Sequence, residues 1–487
     1  MQYLNTRPHA ALLASPGLGH LIPILELAKR LVSSHGFQAT VFVVTTDSSL
    51  SKSPIFKELL PVPDQLNLVL LPPVDISNLI TPSTLILTQL AIMMREALPS
   101  FRSQILAMKI PPTALIVDLF GTEAMSIAED FNMLKYVFIT STAWFLALTM
   151  HVPTVDDGVI EDDHVKNRRP LLIPGCMSLP FEDTIEPLLL RNDPIYVEYL
   201  RMGLNIPTAD GILVNTWQGL ESSTLLALKD TKKLGKANQV PVYPVGPLVR
   251  AAKPGARSEV LCWLDEQPSE SVIYVSFGSG GTLSAKQTIE LAWGLESSKQ
   301  RFVWVIRPPT VDNDAAGALF QTGRGCNDFL SFLPDGFLTR TSNMGLVVPQ
   351  WAPQTGILSH PSIGGFLSHC GWNSTLESLA SGVPMIAWPL YAEQKMNAAM
   401  LTDDHIGVAI RSKASPTEDL VTREEIETMV RKIIEDKGDS RRIRAKSLQS
   451  SAEKALRKGG SSYNSLSQVA NDCEIRLRYL NSRIQGA

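Results

Sequence analysis

Much that would direct a reading is missing from this 487-residue chain. Its five cysteines (Cys176, Cys262, Cys326, Cys370, Cys473) are odd in number, far apart and without C-x-x-C spacing. That argues against a disulfide-stapled scaffold or a thiolate zinc site, and it predicts reduced thiols in a cytoplasmic protein. Charge of neither sign dominates: the formal net charge of −4 at pH 7 argues against a nucleic-acid or anionic-membrane surface. The opening MQYLNTRPHA has no apolar stretch behind a basic one, so no secretory leader is expected. The stretch YVFITSTAWFLALTMHVP (136–153) is poor in charge, but Thr140, Ser141 and Thr142 interrupt it. It reads as a buried strand and a short helix, not as a membrane span. The adjacent pair Asp403-Asp404 lies away from the glycine-rich turns, so no metal dyad, and no bound metal, is expected.

What is present is a repeated strand–helix rhythm. AALLASP (10–16), QATVFVVTT (38–46), LNLVLLPP (66–73), TALIVDLF (113–120), KYVFITS (135–141) and GILVNTW (211–217) read as buried strands, with helical stretches such as LIPILELAKRLVSS (21–34) between them. A second series begins with SVIYVSF (271–277), a helix over about 284–298, and FVWVIRP (302–308). Length and alternation predict an α/β protein of two doubly wound parallel-sheet domains, with ligands at strand carboxyl ends. The segment 155–170 reads as solvated loop, 240–259 as a Pro/Gly-rich linker, and 309–330 as a polar, mobile insert. Amphipathic helices follow in 422–460, and a last one over about 463–483.

Two turns carry possible chemistry. SPGLGHL (15–21) follows the first strand, but Ile22 stands where a dinucleotide fingerprint needs its third glycine. His20 sits at the following helix start, where the dipole favours a neutral ring: a usable base, or simply a capping or packing histidine. Asp118, ending TALIVDLF, is a carboxylate that could orient such a base, or a helix cap. FGSGGT (277–282) lets backbone approach a diphosphate, with Gly278 and Gly280 shaping the turn and Ser279, or else Ser276, as ligand; it lacks the lysine of a P-loop. Ser15 is a further phosphate candidate.

The stretch WAPQTGILSHPSIGGFLSHCGWNSTLESLASGVPMIAWPLYAEQ (351–394) concentrates polar residues at strand ends. GGFLSHC and VPMIAWP read as strands, NSTLESLASG as a helix capped by Asn373 or Ser374 and closed by Gly382. Backbone N–H groups at that helix start suit a phosphate. Glu377 suits a ribose diol, Glu393 and Gln394 suit sugar hydroxyls, and Trp351 offers a flat face to a base. Together these describe a nucleotide-sugar site.

With its WAPQ, HCGWNS, Glu377 and terminal Glu-Gln elements, this stretch closely resembles the signature box of the plant family 1 UDP-sugar glycosyltransferases. The resemblance implies the GT-B fold, with two Rossmann-like domains facing a cleft: an acceptor-binding domain over 1–245, a UDP-sugar-binding domain over 246–462, and a terminal helix over 463–487 crossing back to the first. It implies His20 as catalytic base and Asp118 as its partner. It places Trp351 on uracil, Ala352 and Gln354 beside base and ribose, and His369, Gly371, Asn373 and Ser374 around the diphosphate. Glu377 then holds the ribose, while Trp372, Tyr391, Glu393 and Gln394 adjoin the sugar; glutamine at 394 points to UDP-glucose. The implied reaction is an inverting transfer without metal or other cofactor, UDP-glucose being co-substrate.

SPGLGHLIP, IVDLFGTE, the 309–330 insert and YAEQKMNA resemble the subgroup of hydroquinone, monolignol and anthocyanidin glucosyltransferases. They imply a small phenolic or flavonoid acceptor. Leu119, Phe120 and Trp144 are candidates for its apolar pocket, or for core. The expectation is a monomer without nucleic-acid or membrane partners. A nucleotide-sugar epimerase and a non-catalytic UDP-sugar-binding protein of the same fold are the alternatives.

Overall fold

The computed structural model describes residues 6–45, 62–155, 158–230, 232–234, 239–252, 258–309, 329–412 and 420–485. The chain divides into two compact units. One comprises Met1–Phe181, Glu186–Val249 and Lys454–Ala487; the other comprises Glu182–Ile185 and Arg250–Glu453.

In the first unit, seven strands form one sheet: β1 (His9–Ala14), β2 (Gln38–Val43), β3 (Leu66–Leu70), β4 (Ala114–Asp118), β5 (Leu134–Ile139), β6 (Gly211–Val214) and β7 (Val242–Pro244). Their order is β3-β2-β1-β4-β5-β6-β7, every pair parallel. β1, β4 and β6 are buried throughout, which is why they read as unbroken apolar runs instead of alternating ones. The helix Leu18–His35 stops at Gly36, whose φ of 71° supplies the left-handed C-cap. The final helix, Ser461–Gln485, sends Leu466, Val469, Ala470 and Cys473 into the core formed by β1, β2 and Leu18–His35.

The second unit repeats the plan with β8 (Val272–Ser276), β9 (Arg301–Ile306), β10 (Gly345–Pro349), β11 (Ile363–Ser368), β12 (Met385–Ala387) and β13 (Ala409–Arg411). The order is β10-β9-β8-β11-β12-β13, again parallel. Helix Ala285–Ser298, capped by the Ser284 hydroxyl accepting from Gln287 N–H, and helix Arg423–Glu435 close its core. Strand order reverses between β1 and β4 in one sheet and between β8 and β11 in the other. Such switch points open a crevice at strand carboxyl ends. The expected pair of Rossmann-like α/β units is therefore present.

Three expectations need correction. The segment 155–170 is not wholly solvated loop: Val159–Lys166 forms a π-helical turn with Ile160 and His164 buried, and the His164 ring lies 2.6 Å from the Arg169 carbonyl. The stretch 240–259 is not only linker, since it supplies β7 on the sheet edge. Helix Trp372–Ala380 starts two or three residues early, with Gly371 at its N-cap in place of Asn373 or Ser374 and no side-chain cap. Most of the expected insert at 309–330 lies outside the described residues. The apolar stretch 136–153 resolves into β5 and helix Ala143–His151, and no described helix is long and apolar enough to cross a membrane.

Candidate active site

In the first unit, β1 runs into Ser15 and then Gly17, whose φ of 104° turns the chain into the helix bearing His20. Asp118 ends the neighbouring strand and is fully buried. Its carboxylate accepts from the Ser15 hydroxyl at 2.6 Å, Ser15 N–H at 3.1 Å, Phe120 N–H at 3.1 Å and Gly121 N–H at 3.2 Å. Four fixed donors hold one carboxylate still. His20 Nδ1 lies 3.2 Å from Asp118 Oδ2, its side chain one-fifth exposed. The approach is oblique: the separation suits an ion pair, yet Nδ1 has no aligned hydrogen bond. Loose alignment of this kind is common where no substrate is bound. The Phe120 ring stands edge-on to the imidazole, 5.2 Å between centroids.

These placements revise two expectations. The Ser15 hydroxyl is buried and donates to Asp118, so it is not poised for a phosphate. Trp144 is core, 1 % exposed, with Nε1 donating to the Met177 carbonyl. Leu119 is also buried, whereas Phe120 remains half-exposed beside His20.

In the second unit, the residues after β8 and β11 converge at the switch point. Gly278 adopts φ 76°, and a methyl group there would stand 2.6 Å from His369 Cε1 and Nε2. One on Gly371 would stand 2.4 Å from Nε2. Both positions thus require the absence of a side chain. Burial lowers the His369 pKa from 6.5 to about 4, so the ring is neutral near pH 7. Its Nδ1 is buried and makes no hydrogen bond. Cys370 next to it holds φ 64°, a strained turn of the kind that accumulates at functional sites. Ser276 accepts from Gly278 N–H, while Ser279 is exposed.

Gln354 organises the helix start. Its Nε2 donates to Ser374 Oγ at 2.9 Å and to Glu377 Oε2 at 2.6 Å, and its Oε1 accepts from Tyr274 Oη at 3.3 Å. The Ser374 oxygen is therefore engaged, leaving its O–H to donate. Trp351 is 38 % exposed, unusual for so large a ring, whereas Trp372 and Ala352 are buried. Buried Gln394 does not direct its carbonyl outward: Oε1 accepts from Leu390 N–H at 2.9 Å and Tyr391 N–H at 3.1 Å. The same side chain also hydrogen-bonds the Tyr391 phenol. Burial raises the Tyr391 phenol to about 12. Glu393 is the N-cap residue of helix Gln394–Thr402. Among the described residues no group of three His, Cys, Asp or Glu is arranged to hold a metal.

Arg307, at the end of FVWVIRP, was not among the expected site residues, and the Ser15 hydroxyl, expected at a phosphate, is engaged with Asp118. An arginine directly after five buried strand residues was the available signal.

The family model "UDP-glucoronosyl and UDP-glucosyl transferase" matches residues 245–445. Anthocyanidin 3-O-glucosyltransferase 5 of Manihot esculenta is 52 % identical, over 97 % of this chain and 96 % of its own. Hydroquinone glucosyltransferase of Rauvolfia serpentina is 44 % identical, over 96 % and 98 %. The crystal structure of TcCGT1 in complex with UDP superposes with a TM-score of 0.89 at 46 % identity, over 97 % of this chain and 100 % of that one.

Proposed function

This chain belongs to the plant family 1 UDP-dependent glycosyltransferases, of GT-B fold, and from that premise we propose that it is an inverting UDP-glucose-dependent O-glucosyltransferase of small phenolic or flavonoid acceptors. The reading rests on one observation above others: His20, partly exposed, lies 3.2 Å from a buried Asp118. In this reading His20 takes the proton of an acceptor hydroxyl. That oxygen attacks the anomeric carbon of the glucose in line, the bond from this carbon to the diphosphate oxygen breaks, and UDP departs, giving a β-glucoside. Asp118 orients the ring and stabilises the imidazolium formed.

The second unit supplies the donor contacts. Trp351 stacks on uracil, with Ala352 and Gln354 beside it, and Glu377 takes the ribose diol. The Gly278–Ser279 turn, His369, Gly371, Asn373 and Ser374 meet the diphosphate as N–H and O–H donors. Trp372, Tyr391, Glu393 and the Gln394 amide adjoin the glucose. Phe120 presents apolar surface to the acceptor beside His20. No metal or other cofactor takes part, and the free thiols Cys176, Cys262, Cys370 and Cys473 fit a cytoplasmic setting.

Incubation with UDP-glucose and a panel of phenols, read by mass spectrometry, should give hexose adducts. His20→Ala should cut transfer to weakly acidic hydroxyls by about 10²–10⁴ and leave UDP affinity nearly intact. UDP-glucose consumed without an acceptor would identify an epimerase, and binding without turnover a sensor. Wild-type rates in His20→Ala on the least acidic acceptor would remove His20 as base.

A further inference from the structure

The groups just assigned to the diphosphate are neutral, yet that ligand is an anion. Buried His369 holds no proton near neutral pH. Ser279, Ser374 and the backbone amides contribute dipoles only. Among the described residues two arginines close strands at this end of the sheet: Arg411, which is paired with Asp183, and Arg307. Arg307 follows the last residue of β9, which lies between β8 and β10. Val275 pairs with Trp304, so continuing the register brings Gly278 opposite Arg307. Ser368 pairs with Ser276, which sets His369 one residue before the same line. On the other flank Ile306 pairs with Pro349, just before Trp351.

The direction of this side chain is marked by Tyr391. Arg307 and the Tyr391 phenol are near enough for each to shift the other's ionisation. Arg307 follows β9, and Tyr391 lies in the loop between β12 and helix Gln394–Thr402, where a Cβ on Gly281 would stand 3.0 Å from Leu390 Cδ1. That loop therefore reaches over the turn that follows β8, and Arg307, beside Tyr391, stands at the same turn. Arg307 is half-buried, burial lowers its pKa, and among the described residues its guanidinium makes no hydrogen bond or ion pair. A guanidinium offers five donors and stays charged, so partial burial without a partner is costly until an anion arrives.

We propose that Arg307 is a ligand of the donor's diphosphate, supplying a full positive charge that meets the phosphates of bound UDP-glucose and of departing UDP. This rests on the donor-site reading above. As the bond to the anomeric carbon breaks, its electron pair goes to the terminal phosphate oxygen, and a fixed guanidinium stabilises that charge by charge-assisted, bidentate contact.

Calorimetric titration with uridine, UMP and UDP separates this role from others. Arg307→Met should weaken UDP by about 10- to 100-fold, as for loss of a hydrogen-bonded charge, and leave uridine unchanged. Raising salt should weaken UDP binding less steeply in Arg307→Met than in the wild type. Arg307→Lys, which keeps the charge without the fork, should recover part of the loss. It also serves as the second variant if the methionine form does not fold. Equal weakening of uridine and UDP, or unchanged UDP affinity in a folded variant, overturns the proposal. Wild-type protein that binds uridine and UDP equally poorly would instead overturn the donor-site reading itself.

Discussion

Ser15→Ala tests whether this hydroxyl serves a carboxylate or a phosphate. In the structure it is buried and provides the shortest of four hydrogen bonds to Asp118, at 2.6 Å. Three backbone N–H donors remain after the substitution, so Asp118 stays in place but its oxygens lose one constraint on their rotation. A hydrogen bond to a charged group is worth about 1.5–3 kcal/mol, and part of that should appear as lost stability. The part that reaches the reaction acts through the aim of Oδ2 at His20. A loss of about 1.4 kcal/mol there is tenfold in rate, smaller than the loss from removing the base.

Single-turnover transfer from UDP-glucose should be measured on phenols of graded acidity, with UDP affinity measured in parallel. The rate deficit should widen as the acceptor becomes less acidic, because weakly acidic hydroxyls depend most on the base. UDP affinity should not change. In the background Asp118→Asn, Ser15→Ala should have little further effect on transfer, since coupled residues are not additive. A deficit uniform across acceptors, accompanied by weaker UDP binding, would refute the argument and return Ser15 to the phosphate.

Two further outcomes follow from the second unit. Gly278→Ala should lower UDP affinity at least tenfold and reduce thermal stability: its Cβ would meet His369 at 2.6 Å, and φ 76° costs a non-glycine residue about 1–2 kcal/mol. Unchanged UDP affinity, read by calorimetry, would count against the close packing of turn and ring. The His369 imidazole should titrate near 4 in the free protein and higher with UDP bound, which NMR of labelled histidine can follow. Because its folded pKa lies below the unfolded value of 6.5, its contribution to stability is complete above 6.5 and is lost as pH falls through about 4. A midpoint near 6.5 in the free protein would exclude a buried neutral ring.

The sheets were legible because strands buried on both faces spell continuous apolar runs, as in SVIYVSF and TALIVDLF. The residues proposed for the donor drew notice for a related reason, since these polar residues cluster in one segment at the ends of such runs. What escaped depends on long-range contacts. β7 hid in VPVYPVG because it is three residues long and lies on the sheet edge, where Pro244 leaves no central ladder unsatisfied. The turn Val159–Lys166 looked solvated by composition, but only the fold shows His164 turned inward against the Phe181 ring. Ser15 and Asp118 lie 103 residues apart, and neither sequence neighbourhood reveals that one secures the other. Arg307 was read as the end of a strand because only strand order shows which turns it stands between.

The return of the last helix to the first unit also bears on how the protein is made. Arg30 donates to the Leu456 carbonyl across 426 residues, and Ser462 donates to the Gly246 carbonyl across 216. On a ribosome the amino-terminal unit begins first, yet the side chains of Leu466, Val469 and Cys473 that complete its core are made last. The roughly 200 residues of Arg250–Glu453 intervene, and at about 5–20 residues per second they take about 10–40 s to synthesise. Throughout that interval the apolar face of Leu18–His35 awaits its cover, and at its end the second unit has its entire main segment while the last helix of the first unit is still to be made. The usual amino-first order of domain completion is thereby inverted, and the nascent first unit is the form most exposed to chaperones and to aggregation.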